Sequence, residues 1–248
     1  GDRVAIFAPN RVEWASAALG IEAAGCVMVP IYPASTAEQA SYIANHADAR
    51  VLFVDTPALL GRVFDAWFDM PTVEKVVLLD NALDAEKVLA GRQAPTGKRL
   101  PSLDEAKKKL VTFAEASAKG RALHARDGEL FTRTMNGVSI DQPGIMLYTS
   151  GTSGNPKGVP LTHKNVGVSG RDWLECNAML LDEGMVDILW LPLSHIFGFG
   201  QMCLGNTLGF TTYFSDPASV MKRLPELKPS VFMSVPSHWE KMAIMAAE

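Results

Sequence analysis

Short apolar runs alternate with longer segments of helical periodicity along most of the chain. The apolar runs are brief and mostly rich in β-branched residues, which is typical of strands in the core of a sheet. Predicted strands lie at residues 4–8, 26–29, 51–54, 76–79, 145–149, 188–191, 211–214 and 231–235. Predicted helices lie at residues 12–24, 37–47, 59–68 and 197–208, and others begin near residue 164, after residue 217 and at residue 236. This alternation predicts an α/β fold in which mostly parallel sheets are packed with helices.

Two of the predicted helices begin with residues that cap helix N-termini. Ser35 and Glu38 have the Ser-x-x-Glu spacing of a capping box, at the start of the second helix. Ser102 and Glu105 have the same spacing, and they predict the cap of a charged helix that runs towards His124.

The alternation loosens in the middle of the chain, where residues 91–101 read as a loop. We therefore expect a first βα portion at residues 1–80 and a variable peripheral segment at residues 81–142. A third portion follows at residues 143–248, where the alternation resumes.

Composition excludes some classes of protein. With 248 residues, of which 48% are hydrophobic, the chain can bury a large core. Its net charge of −4 gives no reason to expect nucleic acid, since the phosphate backbone is bound by clustered Lys and Arg. The three cysteines form no C-x-x-C pair and no disulfide framework, which favours a reducing compartment. We therefore expect a cytoplasmic protein, and contact with a membrane surface stays open.

The stretch from Ile188 to Ser215 contains no Asp, Glu, Lys or Arg. Its length would meet the threshold of roughly 20 residues for crossing a membrane. A membrane span is predominantly apolar, however, and this stretch is interrupted by a proline, four glycines and polar residues that include His195 and Gln201. We interpret it as buried core or as the wall of an apolar pocket.

The segment with the clearest chemistry is 148–159, which follows an apolar strand. After Tyr148 it holds four Ser or Thr hydroxyls, three glycines and one lysine. Glycines let a backbone approach a ligand closely, inward-pointing backbone N–H groups bind anions, and Lys157 adds a positive charge. Together these groups suit a polyphosphate. The Walker pattern G-x-x-x-x-G-K-[ST] is absent, because Lys157 follows a proline and precedes Gly158.

Residues 148–159 resemble the phosphate-binding loop of the acyl-adenylate-forming superfamily, Y-T-S-G-T-T-G-x-P-K-G-V. This superfamily includes acyl-CoA synthetases, beetle luciferases and the adenylation domains of peptide synthetases. The one departure is Ser153 in place of the usual Thr, and it keeps the hydroxyl. Further resemblances lie at residues 2–14, 18–33 and 191–198. Residues 234–241 resemble the long-chain fatty-acid branch in particular, so the resemblance implies part of the large N-terminal domain of such an enzyme.

Members of the superfamily join a carboxylic acid to ATP, release pyrophosphate and form an acyl-adenylate, which CoA then converts to a thioester. The resemblance implies a fatty-acid–CoA ligase with ATP and CoA as co-substrates and magnesium as the accompanying metal. It implies that the phosphates of ATP are held by Thr149, Ser150, Gly151, Thr152, Ser153, Gly154 and Lys157. It also implies a catalytic role for His195, between the nucleotide and the carboxylate, and it places the acyl pocket within residues 143–248. No residue of this chain is predicted to bind the metal.

Several superfamily motifs have no counterpart in the sequence. We find no Tyr-Gly-x-Thr-Glu segment, whose Glu would bind magnesium, no later Thr-Gly-Asp, and no hinge or catalytic Lys of the mobile C-terminal domain. The chain also begins without Met, directly in a predicted strand. We therefore expect an incomplete N-terminal part of a longer enzyme, which lacks the C-terminal domain and does not turn over by itself.

Other functions stay open on sequence alone. Adenylation of an aryl acid or an amino acid would fit the same loop, and so would a nucleotide-binding regulatory module without catalysis. A phosphotransferase is disfavoured, because the Walker pattern and the kinase motif set are both absent. The expected partners are a fatty acid, ATP and CoA, with no nucleic acid and no transmembrane segment, and the sequence predicts no particular oligomeric state.

Overall fold

The computed structural model describes residues 1–149 and 155–247, with burial described through residue 244. The chain divides into two compact units, Gly1–Gly167 and Val168–Glu248. The three portions expected from the sequence, with boundaries at residues 80 and 142, stay a prediction.

A seven-stranded sheet forms the centre of the first unit. Its strands are β1 (Arg3–Phe7), β2 (Val27–Ile31), β3 (Ala49–Val54), β4 (Lys75–Leu78), β5 (Leu110–Thr112), β6 (Pro143–Thr149) and β7 (Lys157–Thr162). They are arranged in the order β5-β4-β3-β1-β2-β6-β7. All neighbouring strands are parallel except β6 and β7, which form an antiparallel hairpin. The prediction of an α/β fold with a mostly parallel sheet is confirmed.

Helices connect the parallel strands of the first unit. They are α1 (Val12–Ala23), α2 (Ala37–His46), α3 (Pro57–Asp65), α4 (Ala85–Ala90), α5 (Leu103–Lys109), α6 (Phe113–Arg126) and α7 (Leu130–Asn136). Helix α8 (His163–Asn177) follows β7 and crosses the boundary between the two units.

The core of the first unit is built on the central strands. All five residues of β2 are buried, and so are four of the five residues of β1. Such continuous burial is typical of parallel strands that are covered on both faces. Phe7 of β1, Ile31 of β2 and Phe64 of α3 belong to one hydrophobic cluster and are fully buried. The sheet therefore gives the strand ends a rigid support.

The capping box of α2 is formed by different residues from those that the sequence predicted. Thr36, not Ser35, is the N-cap residue, and its side chain accepts a hydrogen bond from the backbone N–H of Gln39 at 3.2 Å. The Gln39 side chain accepts one in return from the Thr36 backbone N–H, at 3.0 Å. The prediction named Glu38 as the reciprocal partner, but Glu38 is one position too early once the helix begins at Ala37.

The segment 81–142 departs from the prediction of a single charged helix that runs towards His124. Ser102 and Glu105 do form the predicted capping box of α5. Helix α5 ends at Lys109, however, because the next three residues are extended and pair with β4 as strand β5. A second capping box, made by Thr112 and Glu115, then begins α6. This segment therefore supplies an edge strand to the main sheet.

The second unit is built around a smaller sheet, in which β8 (Val186–Leu189) and β9 (Thr211–Phe214) are parallel. Its helices after α8 are α9 (Ile196–Thr207), α10 (Val220–Leu227) and α11 (Pro236–Ala247). Ile188, Trp190, Leu191 and Val220 form its hydrophobic cluster. The uncharged stretch thus contributes core residues, as one of its two interpretations proposed. No helix within residues 1–149 and 155–247 combines the length and apolar character that crossing a membrane requires.

The predicted strand at residues 231–235 does not form. Val231 makes only an isolated bridge with Asp187. The reason lies two residues on, where the carbonyl of Met233 accepts a hydrogen bond from the indole Nε1–H of Trp190 at 3.0 Å. Because that carbonyl accepts from a side chain, it is not used in pairing with β8, and the ladder stops after one bridge. Helix α11 then begins at Pro236.

The corrected capping box can be tested by a matched pair of neighbouring substitutions. We expect Thr36→Ala to lower the free energy of unfolding by about 1 kcal/mol, because one backbone N–H of the first turn of α2 loses its acceptor. Ser35→Ala should cost clearly less, since Ser35 makes no capping hydrogen bond to this helix. Denaturant unfolding of the two variants measures the difference, and a larger loss for Ser35→Ala would contradict the assignment.

Candidate functional site

The β6–β7 hairpin brings two of the predicted phosphate ligands side by side. Thr149 is the last residue of β6, Lys157 is the first residue of β7, and the two residues are directly paired across the hairpin. Directly opposed residues of an antiparallel pair have their side chains on the same face. Both side chains are exposed. A hydroxyl and an ammonium group therefore lie together at the end of the hairpin where its two strands are connected.

The predicted ligands Ser150, Gly151, Thr152, Ser153 and Gly154 lie outside the described residues. Their part in binding phosphate stays a prediction. What the structure does describe is the two ends of the loop that carries them, at Thr149 and Lys157.

The direction of β6 explains why Thr149 is exposed to solvent. Ile145 in the first half of β6 is fully buried and pairs with Met28 of β2 in a parallel register. Burial then decreases along the strand, and Thr149 is exposed. Strand β6 therefore ends at the carboxyl edge of the parallel sheet, which is where open α/β sheets bind their ligands.

Tyr148, the first residue of the motif, is attached to helix α2. Its hydroxyl lies 2.7 Å from Nδ1 of His46, and the two rings meet edge to face with centroids 5.6 Å apart. His46 also stacks on Tyr42, one turn earlier in α2. Burial, with a smaller contribution from Tyr42, raises the pKa of Tyr148 to about 12, so its hydroxyl stays protonated at neutral pH. This cluster attaches β6 to α2 one residue before the strand ends at Thr149.

Sequence reasoning assigned no role to His46. His46 is exposed, but it holds Tyr148 across 102 positions of sequence. A pattern of neighbouring residues in the sequence cannot predict a contact between residues so far apart.

Gly158 accommodates the ring of Tyr148 on the neighbouring strand. The two residues are paired across the hairpin. A Cβ atom added at Gly158 would lie 3.2 Å from Sδ of Met146 and 3.2 Å from Cζ of Tyr148. A larger residue at position 158 would therefore require Met146 or the ring of Tyr148 to shift.

The second unit contains His195, which is the N-cap residue of α9. Its Nδ1 accepts a hydrogen bond from the backbone N–H of Phe197 at 3.2 Å. A nitrogen that accepts a hydrogen bond carries no proton, so the neutral ring of His195 has its proton on Nε2. The side chain is exposed. His195 therefore presents an N–H donor to solvent beside the N-terminus of a helix.

Gly198 holds the first turn of α9 close to the preceding backbone. A Cβ atom at this position would collide with the carbonyl oxygen of Pro192 and lie 2.7 Å from that of Leu191. This role could not be predicted from the sequence, because the close approach is to the chain's own backbone. By contrast, a Cβ atom at Gly200 would meet nothing within 4 Å.

The described residues do not form a metal centre. Within residues 1–149 and 155–247, no group of three or more His, Cys, Asp or Glu side chains could hold a metal ion.

Comparisons with known proteins show the family to which the chain belongs. The family model for AMP-binding enzymes matches residues 1–248. The long-chain-fatty-acid–CoA ligase FadD15 of Mycobacterium bovis is 32% identical over 250 aligned residues, which cover 98% of this chain and 36% of that protein. The chain thus spans about a third of the length of this relative.

Two solved structures have the same fold. A long-chain-fatty-acid–CoA ligase, FadD1, from Archaeoglobus fulgidus matches with a TM-score of 0.62 at 18% identity, over 96% of this chain and 40% of that one. The anthranilate–CoA ligase AuaEII, in complex with anthranoyl-AMP, matches with a TM-score of 0.64 at 21% identity, over 94% and 39% of the two chains. The chain belongs to the AMP-binding enzyme family, and its fold is that of the N-terminal domain of adenylate-forming enzymes.

The close packing at Gly158 predicts a destabilising substitution. We expect Gly158→Ala to lower the free energy of unfolding by about 1 kcal/mol, because Met146 and Tyr148 must move to admit the new methyl group. Gly20→Ala is the control: a Cβ atom there meets nothing within 4 Å, and alanine stabilises a helix interior by roughly 0.5–1 kcal/mol. Opposite signs in denaturant unfolding would support the packing, whereas equal effects would contradict it.

The backbone approach at Gly198 predicts a larger effect in the second unit. Gly198→Ala should cost at least about 3 kcal/mol, since the obstacle is a backbone carbonyl that cannot rotate away. Gly200→Ala, two residues further along the same helix, should be neutral or slightly stabilising. Thermal unfolding of both variants measures this, and a well-tolerated Gly198→Ala would show that α9 does not begin as described.

Proposed function

We propose that the protein carrying this chain activates a carboxylic acid with ATP and then forms its CoA thioester. In the first step a carboxylate oxygen attacks the α-phosphorus of ATP, the bond to the bridging oxygen breaks, and pyrophosphate leaves. In the second step the CoA thiolate attacks the acyl carbon and AMP leaves. The observation that carries the proposal is the pairing of Thr149 and Lys157 at the carboxyl edge of the sheet, in a member of the AMP-binding enzyme family.

The Thr149–Lys157 loop is proposed to hold the phosphates of ATP. The reaction brings two anions together, so that the protein must neutralise charge and position the reactants. Lys157 supplies a positive charge and Thr149 a hydroxyl donor, on the same face of the hairpin. The hydroxyls and backbone of residues 150–154 are expected to add further donors. Magnesium bound to ATP would neutralise phosphate charge.

His195 is proposed to orient the carboxylate of the acid. Its Nε2–H can donate a hydrogen bond to a carboxylate oxygen, because Nδ1 is already occupied by the backbone N–H of Phe197. The N-terminus of α9 adds a favourable electrostatic field for an anion. His195 thus acts as a fixed donor whose tautomer is set by the helix that it caps.

A long-chain fatty acid is the proposed substrate. In support, FadD15 of Mycobacterium bovis, which is 32% identical to this chain, is named a long-chain-fatty-acid–CoA ligase. Solved structures of the same fold include one with anthranoyl-AMP, so the fold alone does not select the acid. The cytoplasm is the proposed location of the reaction, with ATP, CoA and the acid as small-molecule partners.

The test is acid-dependent exchange of pyrophosphate into ATP by the full-length protein, with acids from acetate to stearate and with benzoate. We expect exchange to peak with a long-chain acid. Lys157→Ala should lower the rate at least about a hundredfold, which is the usual cost of removing a charged or donor group from a preorganised site.

Lys164→Ala is the matched control for Lys157→Ala. Lys164 is an exposed lysine seven residues away, and its Nζ lies 3.4 Å from Asp141 at the surface. This variant should keep the parental exchange rate. Exchange that peaks with benzoate would overturn the choice of substrate, and ATP binding without exchange for any acid would favour the regulatory module.

A further inference from the structure

Two polar side chains are buried in the interior of the second unit. Asp187 of β8 and Gln201 of α9 are each only 1% exposed. Gln201 follows His195 by six residues, in the second turn of the helix that His195 caps. A contact between these two side chains therefore connects the candidate catalytic helix to the strand beneath it.

The orientation of Gln201 follows from its hydrogen bonds. Its Nε2 donates to Oδ1 of Asp187 at 2.8 Å and to the backbone carbonyl of Ile188 at 3.2 Å. Only the amino end of a carboxamide can donate to two acceptors, so the amide cannot be reversed. Both hydrogens of Nε2 are used, and both fasten α9 to β8.

The same two side chains leave two acceptors without a donor. Oδ2 of Asp187 and Oε1 of Gln201 are both buried, and neither has a hydrogen-bond partner among the described residues. Buried polar atoms are normally paired. One proton on Oδ2 would convert one of these acceptors into a donor for the other, and the carboxylic acid and the carboxamide would then share two hydrogen bonds.

We propose that Asp187 and Gln201 form a buried acid–amide pair, in which Asp187 Oδ2–H donates to Gln201 Oε1, and that this pair positions α9 and thereby His195. Asp187 and Gln201 are positioning residues in this arrangement, because neither is placed against a reactant. The pair itself does not depend on the proposed reaction, whereas its effect on catalysis rests on the proposed function of His195.

The environment of Asp187 favours its protonated form. Burial raises the pKa of Asp187 from 3.8 to about 6, and the hydrogen bonds from Gln201 and from the backbone of Ile188 only partly oppose this. Helix α9 and strand β9 carry no charged side chains. The charged residues of α10, Lys222, Arg223 and Glu226, are exposed. The raised pKa therefore arises from burial and not from a neighbouring charge.

The pair has a defined pH dependence. Because the pKa of Asp187 is higher in the folded chain than in the unfolded chain, the folded state binds the proton more strongly. The stabilisation is complete below about pH 4 and is lost as the pH rises through about 6. Across this window the folding equilibrium constant should fall on the order of a hundredfold.

The first experiment observes the Asp187 carboxyl directly. In the 248-residue chain labelled with carbon-13, NMR follows the carboxyl shifts from pH 3 to 8, and the Asp187→Asn variant assigns the signal. We expect a midpoint near 6 for Asp187. A titration midpoint near the ordinary value for aspartate would overturn the proposal. The midpoint is measured in the parent, and the variant serves only to assign the signal.

The second experiment compares stability and helix exchange in variants. Asp187→Asn keeps the shape of the acid and supplies an N–H to Gln201 Oε1 at every pH, so its unfolding should show no loss between pH 4 and 7. At pH 7, the backbone N–H of Phe199, which donates to the His195 carbonyl at 3.0 Å, should exchange more slowly than in the parent. Asp182→Asn, at an exposed position, is the control and should keep the parental pH profile.

The outcomes separate this inference from the proposed function. If Asp187→Asn is less stable than the parent at pH 7, or if it keeps the parental slope, the acid–amide pair is wrong whatever the enzyme does. If the pair is found but the full-length protein catalyses no pyrophosphate exchange, the proposed function fails and the pair stands. If both hold, the kcat for exchange in the parent should decline between pH 5 and 7 relative to Asp187→Asn, while KM for ATP stays the same.

Discussion

Strand β6 is the element on which the candidate site depends, because it is hydrogen-bonded on both edges. It pairs in parallel with β2 in the core and in antiparallel with β7 at the surface. The parallel pairing fixes where the strand ends, and the antiparallel pairing returns the chain beside it. Thr149 and Lys157 are therefore held opposite each other, where β6 ends at the carboxyl edge of the sheet.

The supports of this site are small, non-local contacts. Tyr148 is fixed to α2 through His46, and Gly158 leaves room for the tyrosine ring. In the second unit, Gly198 lets the start of α9 approach the backbone of Pro192, and the backbone of Phe197 selects the tautomer of His195. Thr149, Lys157 and His195 are exposed, while glycines and hydrogen bonds behind them determine the local geometry.

The sequence predicted the order of strands and helices well, because periodicity reflects burial in a sheet that is covered on both faces. It placed β9 at its observed bounds and the helix start at Pro236 correctly. It failed where a tertiary contact decides the outcome. The carbonyl of Met233 accepts from the Trp190 indole, so residues 231–235 do not form a strand, and pairing with β4 interrupts the expected helix after Lys109.

The residue types of the candidate site could be predicted from the sequence, but the tertiary contacts that hold them could not. A loop rich in glycine and hydroxyl residues, with Lys157, can be recognised from its chemistry, whereas the Tyr148–His46 contact joins residues 102 positions apart. The central claim, that Lys157 faces the phosphates of ATP, is tested most directly by acetylating the lysines of the full-length protein with and without ATP. At an ATP concentration about a hundred times the Kd, roughly 1% of the protein is unliganded, so mass spectrometry should find labelling of Lys157 reduced more than about tenfold while Lys164 is unaffected. Equal labelling of Lys157 in both conditions, with ATP binding verified, would contradict the account.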